Sequence, residues 1–189
     1  MSSDTREKIL QAAFTVLSRE GYENTSIKGI AEEAGVAQGL VHYYFKSKQL
    51  LVLAVLAFVC ERMELGDVQG AAGALAAFEQ TKEMLRDKRH TNALYVQLIG
   101  VGVHDPVIGA GVRDFVRNER QHVEDIASQV LAEREVDPTP ARGIAGAVWG
   151  AILGIIVQTL VDKEFNADEA VDALAAMSLS AVFQNATGA

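Results

Sequence analysis

Cysteine occurs once in this chain of 189 residues and proline three times. A lone Cys60 cannot close an internal disulfide, which excludes a cystine-stapled fold and leaves that thiol as a small core residue. Pro106, Pro138 and Pro140 each adjoin Asp or Thr, as at helix starts, and leave long stretches without a breaker. Long helices with short connections follow. Basic residues are also short: 17 Lys and Arg face 25 Asp and Glu, a net charge of -8. Phosphate neutralisation supplies most non-specific affinity for nucleic acid, so the whole-chain charge argues against that kind of binding.

The chain does not open with a basic segment followed by an apolar one, so secretion is not expected and a reducing cytoplasm is. Metal and catalytic patterns are missing as well. His42, His90, His104 and His122 are scattered, without CxxC or HExxH spacing. Gly100-Val101-Gly102 begins a GxGxxG, but Asp105 stands where the last glycine belongs and no βαβ pattern surrounds it. With no G-x-S-x-G elbow or Walker loop either, an enzyme reading is set aside and neither metal nor cofactor is expected.

What the chain does have is the stretch from Thr25 to Lys48, TSIKGIAEEAGVAQGLVHYYFKSK. Ser26 can cap a helix that puts Ile27, Ile30, Ala31 and Ala34 on one face. Gly35 can take the left-handed conformation that ends it, with Val36 as an apolar plug. A second helix, about residues 37–45, turns Val41, Tyr44 and Phe45 inward. Its other face carries Gln38, Gly39, His42 and Tyr43. An ordinary solvated face is filled with Lys, Glu and Ala; an amide, a bare backbone position, an imidazole and a phenol suit the edges and backbone of a duplex. The spacing predicts a helix-turn-helix, against the alternative of a small helical hairpin packed on its aromatics.

The charge distribution agrees with that reading. Residues 1–50 hold six basic side chains (Arg6, Lys8, Arg19, Lys28, Lys46, Lys48) and six acidic ones (Asp4, Glu7, Glu20, Glu23, Glu32, Glu33), so the excess acid lies wholly beyond residue 50. Binding would rest on locally placed lysines and on helix N-termini, whose backbone N–H groups attract phosphate.

The same stretch resembles the DNA-binding segment of the TetR family of bacterial transcriptional regulators. The matching residues are Thr25, Ser26, Ile27, Ile30, Ala31, Ala34, Gly35, Val36, Ala37, Gly39, Val41, His42, Tyr44, Phe45, Ser47, Lys48 and Leu51. The resemblance implies an all-α fold of about nine helices: a helix-turn-helix DNA-binding domain over residues 1–46, then an effector-binding and dimerisation domain over 47–189. It implies a homodimer on a palindromic operator, released by a small hydrophobic effector. Ser26, Lys28 and Lys48 would hold the DNA backbone while Gln38, Gly39, His42 and Tyr43 enter the major groove. Gln38 stands where many members have serine, lysine or proline, and Leu40 where many have threonine, so no base preference carries over.

Around this stretch the helical pattern is continuous. Asp4 with Glu7 reads as a capping box before Ile9, Leu10, Ala13, Val16 and Leu17, and Gly21 stops the run. Ser47 can cap a helix to about Leu65. Segments 68–88 and 94–103 look helical, Asp105-Pro106 opens an amphipathic helix, and Asp137-Pro138-Thr139-Pro140 makes a stop and restart. Asn166 with Glu169 caps a last helix. Phe78, Met84, Tyr95, Gln97, His104, Phe115 and Trp149 are the candidate effector contacts, since such pockets are apolar with a few polar groups for orientation.

Residues 144–161 carry no charge, which raises a competing reading as a membrane-anchored DNA-binding protein. Gln158, the interspersed glycines and the lack of a basic cluster on either flank favour a soluble helix, with no membrane partner. Under the resemblance the last two helices form the dimer interface, through Gly143, Gly146, Gly150, Gly154, Val157, Leu174 and Met177.

Overall fold

The structure, a computed structural model, describes residues 2–60 and 70–186. Nine helices lie among them: α1 Ser2–Asn24, α2 Ile27–Ala34, α3 Gln38–Phe45, α4 Lys48–Cys60, α5 Gly70–Asp87, α6 Arg89–Gly102, α7 Pro106–Ala132, α8 Ala141–Val161 and α9 Ala167–Ala186. The protein is all-α, with the helix-turn-helix bundle at its N-terminal end.

Two compact units divide these helices. One comprises residues 1–64 and 90–115, and the other residues 65–89 and 116–189. In the first, α1 packs on α2 and α4, and α3 on α2 and α4. Ile9, Leu10, Ala13, Val16 and Leu17 of α1 are buried, as their spacing predicts, with Ile30, Val41, Leu51, Val52 and Val55. Each such aliphatic side chain removed from water is worth about 1.5–3 kcal/mol, so this small bundle has a core of its own.

The local signals act largely as read. Asp105 Oδ1 accepts from the backbone N–H groups of Val107 and Ile108 at 2.9 and 3.0 Å, holding the start of α7 beside Pro106. Ser47 Oγ accepts from Leu50 N–H at 3.2 Å at the start of α4, and Asn166 Oδ1 from Glu169 N–H at 3.2 Å at the start of α9. Asp4 differs: α1 already begins at Ser2, so Asp4 lies in its first turn, where its charge favours the helix dipole without capping it. Of the expected extension of α4 to Leu65, residues 61–65 lie outside the described residues, as do the expected start at Val68 and the surroundings of the Cys60 side chain.

In the second unit, Ala74 of α5, Ile126, Ala127, Val130 and Leu131 of α7 and Ala141 of α8 form one buried cluster. The Lys82 ammonium pairs with Glu79 and with Asp172 of α9. Arg89 donates to the backbone oxygens of Thr159 and Leu160 at 2.9 and 2.8 Å, supplying a cation where the last carbonyls of α8 lack helical partners.

Candidate nucleic-acid interface

The turn between α2 and α3 is specified residue by residue. Ser26 Oγ accepts from Gly29 N–H at 3.0 Å, which satisfies one orphan donor at the start of α2. Gly35 sits at φ 63°, ψ 38°, a left-handed conformation that costs glycine nothing. Its N–H reaches Glu32 O at 3.1 Å and that of Val36 reaches Ala31 O at 3.0 Å, the paired bonds of a Schellman stop. Val36 is half-buried, so it plugs the turn only in part.

With the turn set, α3 sorts its side chains. Val41 and Phe45 are buried and Tyr44 half-buried, while Gln38, Gly39, His42 and Tyr43 are exposed, Tyr43 by 68%. Beyond its own stretch of helix, a Cβ built on Gly39 would meet no atom of the described residues within 4 Å. The outer face of α3 is therefore open for close approach along its first turn. Tyr43 is held on that face by the edge of Tyr44, ring centroids 5.3 Å apart, and by Lys46 Nζ, 5.4 Å from its centroid. Aromatic and cation–π contacts of this kind restrict the phenol without covering it. Leu40 is half-buried, in keeping with packing.

The cations around α3 are unequal. Lys28 is exposed and lies 3.8 Å from Glu32, a solvated pair of small energetic weight. Lys48 is half-buried, donates to Glu23 O at 3.3 Å and stands 4.4 Å over the Tyr22 ring. Burial pushes its ammonium pKa down and the charge of Glu23 pulls it back up. Lys48 thus anchors the end of α1 whatever else it contacts.

That end is itself bent. Gly21, at φ 77° and ψ 170°, interrupts α1 where the sequence predicts a stop. Thr25 Oγ1 donates to Gly21 O at 2.7 Å, and Gln97 Oε1 of α6 accepts from Tyr22 N–H at 3.1 Å. Burial, then the charges of Asp105 and Glu23, raise the Tyr22 phenol pKa.

The candidate effector contacts divide between the two units. Tyr95 and Phe115 meet edge to face at 4.9 Å. Gln97 is turned to Tyr22, and His104 is exposed in the turn before α7. Phe78, Met84 and Trp149 are half-buried in the second unit. Two residues of α7, Glu119 and His122, which enter the sequence reading only as part of the amphipathic helix after Asp105-Pro106 and as a scattered histidine, are half-buried. Their spacing from the buried Ile126 and Val130 was the signal for it.

In the last two helices, Gly143, Gly146, Gly150 and Gly154 are exposed, and beyond its own stretch of helix a Cβ at any of them would meet no atom of the described residues within 4 Å. Val157, Val161 and Met177 are exposed beside them, by 37, 77 and 69%, and Leu174 is half-buried. The result is an uncovered apolar face on α8 and α9.

Comparison with known proteins bears on both regions. Residues 9–55, from α1 into α4, match the family model described as bacterial regulatory proteins, tetR family. The HTH-type transcriptional regulator CymR of Pseudomonas putida is 25% identical over 166 residues, covering 85% of this chain and 82% of that one. Among solved structures, a SmeT–triclosan complex aligns with a TM-score of 0.79 at 19% identity, over 94% of this chain and 91% of that one. A transcriptional regulator from Saccharomonospora viridis in complex with choline aligns with a TM-score of 0.72 at 23% identity, over 97% of each chain. Both share the fold over most of this chain.

Proposed function

We propose that this chain, which belongs to the TetR family of bacterial transcriptional regulators, is a homodimeric repressor that grips a palindromic operator and releases it when a small molecule enters its C-terminal body. The family's members are ligand-responsive DNA-binding regulators and not enzymes.

The observation that carries the DNA side is the sorting of α3, with its core residues buried and Gln38, Gly39, His42 and Tyr43 left on an open face. In this reading residues 1–46 are the DNA-binding domain. Gln38 pairs with a base edge, Gly39 permits close approach, and His42 and Tyr43 donate to phosphate or base. Ser26, Lys28 and Lys48 lie along the backbone, where cations and the α2 N-terminus favour phosphate.

The uncovered face of α8 and α9 supports the dimer. Glycines at this spacing let a second copy approach closely, and an apolar surface of this kind on a soluble protein calls for a partner. Helix α8, with a mean hydropathy of 2.1, is also long and apolar enough to cross a membrane. The second copy is the simpler cover for it, because α9 packs along α8 and opens with two acids, Asp168 and Glu169.

The effector side rests on the fold. Relatives of the same fold hold triclosan and choline, so a pocket for a small organic molecule in residues 47–189 is the corresponding reading here. Selection of duplexes from a random pool by the full-length protein tests the proposal. The enriched site should be an inverted repeat with half-sites about 34–36 Å apart, or a multiple of that turn. An enriched site without two-fold symmetry would contradict the paired-helix arrangement.

A further inference from the structure

On α7, residues 119, 122, 126 and 130 recur at helical spacing and share one face. Its lower half is apolar and closed: Ile126 and Val130 are buried in the cluster that includes Ala74 of α5 and Ala141 of α8. Its upper half is polar and looser, since Glu119 and His122 are half-buried. The Nε2 atom of His122 is buried and makes no hydrogen bond among the described residues. Glu119 likewise has no ion pair or hydrogen bond among them, and burial alone raises its carboxyl pKa. Two sequestered polar groups, one turn apart, thus face inward without partners among the described residues.

Such an arrangement opposes folding. A carboxylate withdrawn from water without a counter-charge is costly, and a sequestered imidazole nitrogen without a hydrogen bond adds to that cost. Native structures satisfy nearly all such atoms, and exceptions mark a missing partner. On the same chain Lys82, also buried, is matched by Glu79 and Asp172, so burial of charge here is otherwise compensated.

We infer that Glu119 and His122 form the polar end of a ligand site on the inner face of α7, and that the ligand is an amphipathic amine bearing at least one N–H. Three features of the chemistry select that class. A carboxylate only accepts, so it requires a donor, and a cationic one compensates its charge. An imidazole nitrogen accepts in one tautomer and donates in the other, so a second N–H, or an oxygen on the ligand, completes it. The half-buried Val116 and Val123, three residues before and four after Glu119 on the same helix, suit a hydrocarbon or aromatic body. A purely hydrophobic or anionic molecule would leave the carboxylate uncompensated. The inference rests on the ligand-responsive reading above and narrows its effector from hydrophobic to hydrophobic with a protonated nitrogen.

The test uses three probes of one skeleton, 2-phenylethylamine, 2-phenylethanol and 3-phenylpropionate, on the full-length protein and on Glu119→Gln. Binding is read by calorimetry and thermal melting, without DNA. The amine should bind wild type at least tenfold more tightly than the alcohol or the acid, and Glu119→Gln should erase that preference. Ligand-free Glu119→Gln should melt no lower than wild type, because it removes an uncompensated group and not a structural partner. Equal binding of amine and alcohol, no binding of the amine, or an amine preference that survives in Glu119→Gln overturns the inference. So does a Glu119→Gln protein that melts well below wild type. The broader regulator reading is judged separately, by release of selected operator DNA: release by the alcohol or the acid keeps that reading and sinks the amine.

Discussion

Gln97 of α6 accepts a hydrogen bond from the backbone N–H of Tyr22 at 3.1 Å, across 75 residues of sequence. Tyr22 follows Gly21, the non-helical residue that bends the end of α1, and a Cβ at Gly21 would come within 2.8 Å of the Gln97 amide nitrogen. A residue from the middle of the chain therefore holds the joint behind the helix-turn-helix. Lys48 supports the same joint from α4, over the Tyr22 ring and on Glu23 O.

Removing this grip should loosen the joint measurably. Gln97→Ala leaves a part-buried N–H unmatched, so urea unfolding should register a loss of about 1–3 kcal/mol. Gly21→Ala combines positive φ with the close approach of Gln97 and should cost at least about 1 kcal/mol. Gln97→Ala with wild-type stability would mean that the contact does not hold the joint.

The two kinds of DNA contact should separate in titrations against selected and random duplexes. Gln38→Ala should cost roughly 1–3 kcal/mol on the selected site and relax preference at one base step, leaving random DNA little changed. Lys28→Ala should weaken both duplexes alike and lower the salt slope by about one. Lys48→Met, which keeps the aliphatic stem over Tyr22, is the cleaner variant at that position than Lys48→Ala. Equal losses on both duplexes for Gln38→Ala would remove it from base reading.

Much of this was legible because the signals are local. Ser26, Gly35, Val36, Ser47 and Asp105 each act within five residues of themselves, and α3 sorts its faces by a period set in the backbone. Gln97 was different: in the sequence it was a polar residue in an apolar segment, read as an effector contact, and nothing in its neighbours announces Tyr22. Glu119 was hidden for another reason. It lies among Arg117, Arg120 and Glu124, a composition that reads as a solvated face, and only its spacing from Ile126 and Val130 turns it inward.

Dimerisation can be separated from folding at α8. Space around Gly150 is open within one chain, so Gly150→Leu should leave the thermal melt of the helices largely intact, apart from any stability that dimerisation itself contributes. In sedimentation it should shift the protein from dimer to monomer. An unchanged dimer would move the interface away from this glycine face.

Acidity should act through Glu119. Folding raises its pKa, so the protonated form favours the native state; that contribution is present below the ordinary glutamate range and is lost as pH rises through the raised value. Gln does not titrate. The melting temperature of Glu119→Gln minus that of wild type should therefore grow from about pH 4 to pH 7. A difference that shrinks over that range would mean that Glu119 is compensated in the folded protein.

The central claim is that the open face of α3 enters a DNA groove, and Gly39→Leu tests it most directly. Gly39 is exposed with, beyond its own stretch of helix, no atom of the described residues within 4 Å of its Cβ position, so the fold accommodates leucine, and the helix gains a better former. The measurement is fluorescence anisotropy of the selected duplex against wild type and Gly39→Leu, with thermal melts of both proteins. The account predicts an unchanged or slightly higher melting temperature together with a loss of affinity of about 100-fold or more, equivalent to roughly 2.7 kcal/mol or more. Undiminished binding by a folded Gly39→Leu protein would contradict it.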